Sequence, residues 1–247
     1  MMRMPDTVVI VPTYNERDNV RGIAEAVLAS SPRVDLLFVD DGSPDGTGEV
    51  CDRIAAENPR VQVMHRPSKQ GLGRAYVAGF QWALERGYAF LFEMDCDFSH
   101  DPGNIPDLLR ALDGQDMVLG SRFIGGIRII NWPMGRLMLS QAAGVYVRRI
   151  TGMPFRDPTS GYRGYRRELV QSLELDRITS NGYSFQIETL HHAWINGYRI
   201  VEMPIIFFER RQGESKMSSH IIGEATWMVW RLWLRSGLRR RPRKRAH

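Results

Sequence analysis

The chain has 247 residues, of which 43% are hydrophobic and 25% charged, and a formal net charge of +5. This composition argues against a disordered chain and supports a real core, and the length fits one large domain or a domain with an extension. The two cysteines fall in different predicted elements, so we expect no structural disulfide and a reducing compartment. No signal-peptide core is visible, and no apolar run reaches the ~18–20 residues that cross a bilayer. We therefore expect a soluble or peripheral protein.

Strand and helix patterns alternate through the first half of the chain. Short apolar runs predict strands, and apolar residues at helical spacing predict helices between them. The predicted strands are residues 7–11, 36–39, 61–64, 88–92 and 117–119, and the predicted helices are 18–28, 46–57 and 72–86. This alternation predicts an α/β fold with a mostly parallel central sheet and helices on both faces.

The pattern changes after about residue 125. Helices are predicted within 132–150, at 184–196 and at 223–234, and the last has a face rich in tryptophan. Pro204 lies inside the extended run 199–208, which predicts either an edge strand or a bend between two short strands. We predict one domain over residues 1–234 and a flexible basic tail over 235–247. That tail either binds an anionic lipid or nucleic acid or is simply solvated.

Acidic residues directly follow two of the predicted strands. Asp41 comes after the second strand, and Asp95 and Asp97 come after the fourth. The carboxyl ends of parallel strands form the edge where open α/β sheets bind ligands. On a continuing strand, side chains at i and i+2 point the same way, so Asp95 and Asp97 are expected to converge on one hard cation. The pattern predicts a site for a metal ion and a nucleotide diphosphate.

Other candidate residues have structural alternatives that the sequence leaves open. Tyr14 and Glu16 follow the first strand and are suited to stacking on a base and binding its donors, but this loop can equally serve to cap the next helix through Asn15 or Asp18. Several basic or hydroxyl side chains are suited to phosphate, with a surface position as the alternative. They are Arg122, the i, i+4 pair Arg136 and Ser140, and the loop residues Arg210 and Lys216.

Several motifs in chain order resemble a known family. Residues 9–16, 39–47 and 93–97 are similar to the inverting family 2 glycosyltransferases of the GT-A fold. Later segments resemble the dolichol-phosphate mannose synthases, whose bacterial equivalents act on polyprenyl phosphate. These segments are residues 120–122, 131–133, 157–163, 182–188 and 213–217.

The resemblance implies transfer of mannose from GDP-mannose to a polyprenyl phosphate, with inversion, giving polyprenyl-phosphate β-mannose and GDP. It also implies a role for each matching residue: guanosine at Pro12, Tyr14, Glu16, Val39 and Asp41; Mg²⁺ or Mn²⁺ at Asp95 and Asp97; the diphosphate at Asp95, Cys96 and Asp97; the donor at Arg122, Arg210 and Lys216; and the acceptor phosphate at Arg136 and Ser140. Cys96 replaces the usual alanine, and Ser99 stands where some members have a glutamine ligand.

The chemistry of the acceptor shapes the expected mechanism. A phosphate monoester has a second pKa of ~6 and is largely ionised near neutral pH, so it needs no strong general base. We expect Asp97 to anchor the metal and Arg210 and Lys216 to close the site, which makes these three the catalytic residues. The expected work is positioning and neutralisation of the leaving group.

Membrane access and competing functions complete the expectations. Trp227, Trp230 and Trp233 precede the basic tail, which favours peripheral binding to the cytoplasmic face of an anionic membrane, with core packing of that helix as the alternative. A membrane-anchoring partner protein is also compatible with the chain. The competing functions are polyprenyl-phosphate glucose synthesis from UDP-glucose and a lipid- or nucleic-acid-binding module without turnover. The acidic motifs argue against the binding module, so no nucleic-acid partner is expected.

Overall fold

The computed structural model describes residues 6–178, 180–209, 219–237 and 242, and the side chains of the last helix from residue 226. The strands are β1 Thr7–Thr13, β2 Val34–Asp40, β3 Val61–His65, β4 Phe90–Glu93, β5 Met117–Ser121, β6 Ile129–Ile130, β7 Arg163–Arg166, β8 Ile200–Pro204 and β9 Phe207–Phe208. The helices are α1 Val20–Ser30, α2 Thr47–Glu57, α3 Leu72–Glu85, α4 Ile105–Ala111, α5 Met134–Thr151, α6 Arg167–Ser172, α7 Gly182–Ile195 and α8 Ser219–Arg235, with short 3₁₀ turns at Pro102–Asn104 and Leu175–Arg177.

A seven-stranded sheet with the order β3-β2-β1-β4-β7-β5-β8 forms the centre of the fold. Strand β7 runs antiparallel to both of its neighbours, whereas the other pairs are parallel. A second sheet contains only β6 and β9. The predicted α/β fold with a mostly parallel sheet is confirmed.

Helices cover both faces of this sheet, and the alternation of side chains in β1 shows why. Val8 and Ile10 pack in the core cluster that includes α3, α5, α6, α7 and α8. Val9 and Val11 point to the opposite cluster, which includes α1, α2 and α4. A strand that is buried on both faces needs apolar residues at every position, which is the pattern that the sequence carries there.

The second half shows which elements the apolar pattern predicts and which it misses. The run with Pro204 combines both expected arrangements, because β8 is an edge strand that ends at Pro204 and a short second strand, β9, follows. Strand β7 was not predicted, because its sequence, Arg-Gly-Tyr-Arg, lacks the apolar run that marks a buried strand. Its Arg163 is nevertheless fully buried.

No described helix has the length and apolarity to cross a membrane. The predicted domain boundary at residue 234 stays a prediction.

Candidate active site

The candidate site lies where β1, β2 and β4 end. Strand β1 pairs in parallel with β2, Thr13 opposite Asp40, and with β4, Ile10 opposite Glu93. The loops that follow the three strands therefore leave the sheet at one edge. This arrangement brings the loops of Asp41 and of Asp95 and Asp97 to the same edge, as the sequence predicts.

Adjacent acids at the end of β2 have different environments. Asp40 accepts hydrogen bonds from the hydroxyls of Thr13 (3.1 Å) and Ser43 (2.5 Å), so it stabilises the turn. Asp41 is 5% exposed and forms an ion pair with Arg66 at 2.6 Å, while the main-chain N–H of Gln70 donates to it at 3.3 Å. Burial raises the pKa of Asp41, and Arg66 opposes that rise. Asp40 is therefore explained by the turn that it stabilises, whereas Asp41 is held by an ion pair.

The loop after β1 supplies the residues expected at the nucleotide. The ammonium of Lys69 lies 4.0 Å from the centre of the Tyr14 ring. Glu16 accepts a hydrogen bond from the side-chain amide of Asn19 at 2.8 Å. Helix α1 begins at Val20 after the N-cap residue Asn19, so the alternative of a cap at Asn15 or Asp18 is wrong.

Pro12 and Val39 face each other in the register of β1 and β2. The side chain of Val39 is fully buried in the core, so only its main chain is available to a ligand. A contact of either residue with guanosine stays a prediction.

The paired acids follow β4, but they do not continue it. Strand β4 ends at Glu93, and the left-handed backbone of Phe98 (φ 59°) marks the loop that carries Asp95 and Asp97. The expectation that strand alternation aligns the two carboxylates is therefore wrong, since this segment is a loop. Asp97 is 5% exposed and accepts a hydrogen bond from the main-chain N–H of Ser99 at 3.0 Å. Between the acids, Cys96 is buried, and burial raises the pKa of its thiol.

His100 fixes the backbone of this loop, a role that the sequence did not predict. Its Nδ1 accepts a hydrogen bond from the main-chain N–H of Asp95 at 3.2 Å, which requires an unprotonated nitrogen there. The ring is buried and stacks on Tyr162 with centroids 4.9 Å apart. Burial lowers the pKa of His100, which keeps the ring neutral. No metal-ligand spacing marks this histidine in the sequence; its role becomes visible only through its contacts.

Two arginines flank Trp132 beyond the acidic loop. The guanidinium of Arg122 is buried, donates to both carboxylate oxygens of Asp157 at 2.7 and 2.6 Å, and also bonds Thr159. Arg136, on α5, lies 4.0 Å from the centre of the Trp132 ring and forms an ion pair with Glu209 at 2.7 Å. Arg122 is thus held by protein groups, and a donor-binding role for it stays a prediction.

The remaining predicted residues divide into two groups. Ser140 is partly buried on α5, one turn after Arg136, which places the pair as the i, i+4 spacing requires. Arg210 and Lys216, expected to bind the donor, lie outside the described residues, as does most of the basic tail.

Comparison with known proteins decides the family. The model of the family described as glycosyl transferase family 2 matches residues 8–174, more than half of the chain. The chain is a family 2 glycosyltransferase. Its relatives include the polyprenol monophosphomannose synthase of Mycolicibacterium smegmatis, 49% identical over 95% of this chain and 89% of that protein. The undecaprenyl-phosphate mannosyltransferase of Micrococcus luteus is 48% identical over 94% of this chain and 97% of that protein.

A more distant relative and a solved structure agree with this assignment. The dolichol-phosphate mannosyltransferase of Pyrococcus furiosus is 35% identical over 91% of this chain and 62% of its own length. Glucosyl-3-phosphoglycerate synthase from Mycobacterium tuberculosis, solved with Mn²⁺ and UDP, shares the fold with a TM-score of 0.66 and 20% identity, over 94% of this chain and 80% of that one. The resemblance to polyprenyl-phosphate mannose synthases and the GT-A fold are confirmed.

The acidic loop of this glycosyltransferase fits a hard divalent cation. Gly161 lies beside the carboxylate of Asp95, because a Cβ on it would be at an ordinary contact distance of 3.9 Å from Oδ1. The hydroxyl of Ser99 is buried without a hydrogen-bond partner among the described residues. These donors are oxygens, which Mg²⁺ and Mn²⁺ prefer. The described part of the chain contains no cluster of three or more His, Cys, Asp or Glu side chains that could hold a metal ion.

Behind this loop, Glu93 is the centre of a buried polar network in the glycosyltransferase. Its carboxyl accepts hydrogen bonds from the hydroxyl of Tyr165 at 2.8 Å and the side-chain amide of Gln186 at 2.7 Å. Burial raises the pKa of Glu93 to about 7, against the opposing charge of Arg163. Because its partners come from β7 and α7, this network joins both elements to the end of β4.

We expect Glu93 to make the stability of the glycosyltransferase depend on pH. The pKa of Glu93 rises from 4.5 to about 7 on folding, so between these values the folded protein holds a proton that the unfolded chain releases. The free energy of unfolding should therefore fall as the pH rises through this window, by on the order of 3 kcal/mol. Urea unfolding across the window measures it. In Glu93→Gln the slope should be flatter, and parallel slopes for the two proteins would contradict the assignment.

Proposed function

We propose that this chain transfers mannose from GDP-mannose to a polyprenyl monophosphate with inversion, forming polyprenyl-phosphate β-mannose and GDP. The observation that carries the proposal is the shared sheet edge, where Asp41 lies near a loop whose acids suit a divalent ion and a diphosphate. The names of the two relatives at 49% and 48% identity support both the sugar and the class of acceptor.

The proposed mechanism relies on position and charge. An acceptor phosphate bound at Arg136 and Ser140 is already a nucleophile, since its second pKa is ~6. Asp95 and Asp97 would hold the divalent ion, which when bound would neutralise charge on the diphosphate leaving group. Attack on the anomeric carbon from the side opposite GDP inverts the configuration. Arg210 and Lys216 are proposed to neutralise the departing diphosphate as well.

A transfer assay tests the proposal directly. The full chain is incubated with a short polyprenyl phosphate, Mg²⁺ or Mn²⁺, and radiolabelled GDP-mannose or UDP-glucose. We expect label in the lipid fraction with GDP-mannose, in a product that has the β configuration. Preferential transfer from UDP-glucose would replace the proposed function with the glucosyl alternative, and binding of the lipid without transfer would reject both.

We predict that Asp41→Asn weakens donor binding specifically. The change removes the negative charge that pairs with Arg66 at 2.6 Å at the proposed guanosine site. The KM for GDP-mannose should rise about tenfold, as expected for the loss of a charged hydrogen bond, while the KM for the acceptor stays unchanged. The matched control is Asp52→Asn, which removes an exposed acid paired with His65. Equal effects on both substrates would contradict the assignment.

The protein is also proposed to bind the cytoplasmic face of an anionic membrane. Helix α8 buries Met228, Val229 and Leu232 but exposes Trp227 (68%) and Trp230 (41%), so it has a core face and an apolar outer face. Helix α5, which lies against α8, exposes further apolar side chains, namely Met134, Met138, Leu139 and Val145. An exposed apolar surface with tryptophans suits a bilayer interface. The basic tail favours anionic lipid.

We predict that replacing both exposed tryptophans weakens membrane binding. Trp227→Ser combined with Trp230→Ser removes large side chains that the fold leaves exposed. The bound fraction in flotation with anionic liposomes should fall at least about fivefold, with little change in stability. Trp82→Ser on α3 is the control tryptophan. Unchanged flotation of the double variant would reject this surface as the membrane contact.

A further inference from the structure

The ion pair between Arg136 and Glu209 occupies the site proposed for the acceptor phosphate. The guanidinium of Arg136 and the carboxylate of Glu209 are 2.7 Å apart, and the side chains are 17% and 32% exposed. The ring of Trp132 covers the guanidinium at 4.0 Å. A carboxylate thus lies where an acceptor anion would have to bind.

Main-chain pairing sets the position of this carboxylate. The main-chain N–H of Glu209 donates to the carbonyl of Ile130 at 3.1 Å, directly after the β6–β9 pairing of Ile130 with Phe208. Two residues after Ile130, Trp132 packs edge-on against Phe207 at 5.3 Å. The same short sheet therefore fixes both the carboxylate and the aromatic ring that covers Arg136.

The pair leaves bonding capacity unused on both sides. Nε of Arg136 and Oε2 of Glu209 are buried and have no hydrogen-bond partner among the described residues. A guanidinium that binds a carboxylate in a bidentate manner would satisfy two donors, but Glu209 satisfies one. A phosphate monoester has three terminal oxygens and can bond further N–H groups of the same guanidinium.

We propose that Glu209 is a specificity-determining residue of the acceptor site: its carboxylate competes for Arg136, and an acceptor binds only by displacing it. This inference rests on the proposed function, because it takes Arg136 as the residue that receives the acceptor phosphate. Glu209 is partly exposed, so the displaced carboxylate can turn into water.

The charge of the ligand decides the outcome of this competition. A tethered carboxylate has a high effective concentration, so a singly charged ligand gains little by replacing it. A phosphate monoester near pH 7 carries a charge of about −1.5 to −2 and has more acceptor atoms than a carboxylate. Both properties favour its binding to Arg136 over that of the tethered carboxylate. Glu209 therefore selects dianionic lipid phosphates over singly charged lipids.

Kinetics of Glu209→Gln test the proposal, because this substitution keeps the shape and removes the charge. With full-length protein and a short polyprenyl phosphate, the KM for the acceptor should fall about fivefold, while the KM for the donor is unchanged. Inhibition by the matching polyprenyl sulfate, a monoanion, should strengthen by a larger factor than the KM falls. A rise in the acceptor KM, or no change, would overturn the proposal.

Two further variants separate this inference from the proposed function. Glu174→Gln is the matched control, since Glu174 is exposed and pairs with Arg177 at the same 2.7 Å. Arg136→Ala should raise the acceptor KM, and Glu209→Gln should have no further effect in that background. If Arg136→Ala leaves the acceptor KM unchanged, the proposed acceptor site fails. If Arg136→Ala raises the acceptor KM, but Glu209→Gln lowers that KM equally with and without Arg136, the acceptor site stands and only the proposed competition of Glu209 for Arg136 is rejected.

Discussion

An Asp97→Asn variant is expected to lose at least ~100-fold in kcat/KM for sugar transfer, with little change in stability. Asp97 is almost fully buried at the end of the sheet, and asparagine keeps its shape while removing the charge that would hold a divalent ion. Steady-state kinetics over a range of Mg²⁺ and Mn²⁺ concentrations measure the loss, which excess metal should recover only in part.

Asp101→Asn is the control for this prediction. Asp101 follows Asp97 in the same loop, is exposed, and accepts a hydrogen bond from the N–H of Gly103 at 2.8 Å, which asparagine can retain. Its activity should match that of the wild type. Near-normal metal-dependent turnover by Asp97→Asn would remove Asp97 from the catalytic residues and leave Asp95 as the candidate ligand.

An Arg163→Met variant is expected to lower the free energy of unfolding by about 3–5 kcal/mol, because it removes one partner of a buried charged network. Arg163 is fully buried in β7 and donates to the carbonyls of Pro158, Ser160 and Gln186 at 2.6–2.8 Å. Methionine fills much of the volume, but it leaves these carbonyls without their donors. Urea unfolding measures the loss.

The surface variant Arg110→Met is the control for that measurement. Its guanidinium is 79% exposed and pairs only with Asp107 three residues earlier on α4, among the described residues, so the expected change is below about 1 kcal/mol. A similar change in both variants would show that the buried contacts of Arg163 contribute little. Activity should fall together with stability in Arg163→Met, since Gln186 also holds Glu93 behind the acidic loop.

The sequence predicts well those elements whose cause is local. Strands β1 and β2 are buried on both faces, so their continuous apolar runs reveal them, and the acids that follow these runs are visible for the same reason. Strand β7 has no such apolar run. Its buried arginine, Arg163, is instead satisfied by a hydrogen bond to the carbonyl of Gln186, 23 positions later in the chain, which a local pattern does not reveal. The prediction that strand alternation aligns Asp95 with Asp97 was wrong, since β4 ends at Glu93, two residues before Asp95.

Contacts between residues far apart in the chain account for what the sequence could not predict in the site. Gln186 binds Glu93 across 93 positions, and Arg136 binds Glu209 across 73. Nothing in the local pattern distinguishes such a glutamate from one on the surface. The motifs therefore locate the edge of the sheet and its acids, while the fold alone shows which of the neighbouring charges are already paired.

The place of β7 in the sheet also affects how the protein folds as it is synthesised. Residues 163–166 insert between β4 and β5, although both of those strands come earlier in the chain. Both strands that pair with β5 are made after it, so a nascent chain that ends near residue 160 holds an open edge on β4 and an unpaired β5. Open strand edges favour aggregation, so we expect the growing chain to be most vulnerable between the synthesis of β5 and that of β7.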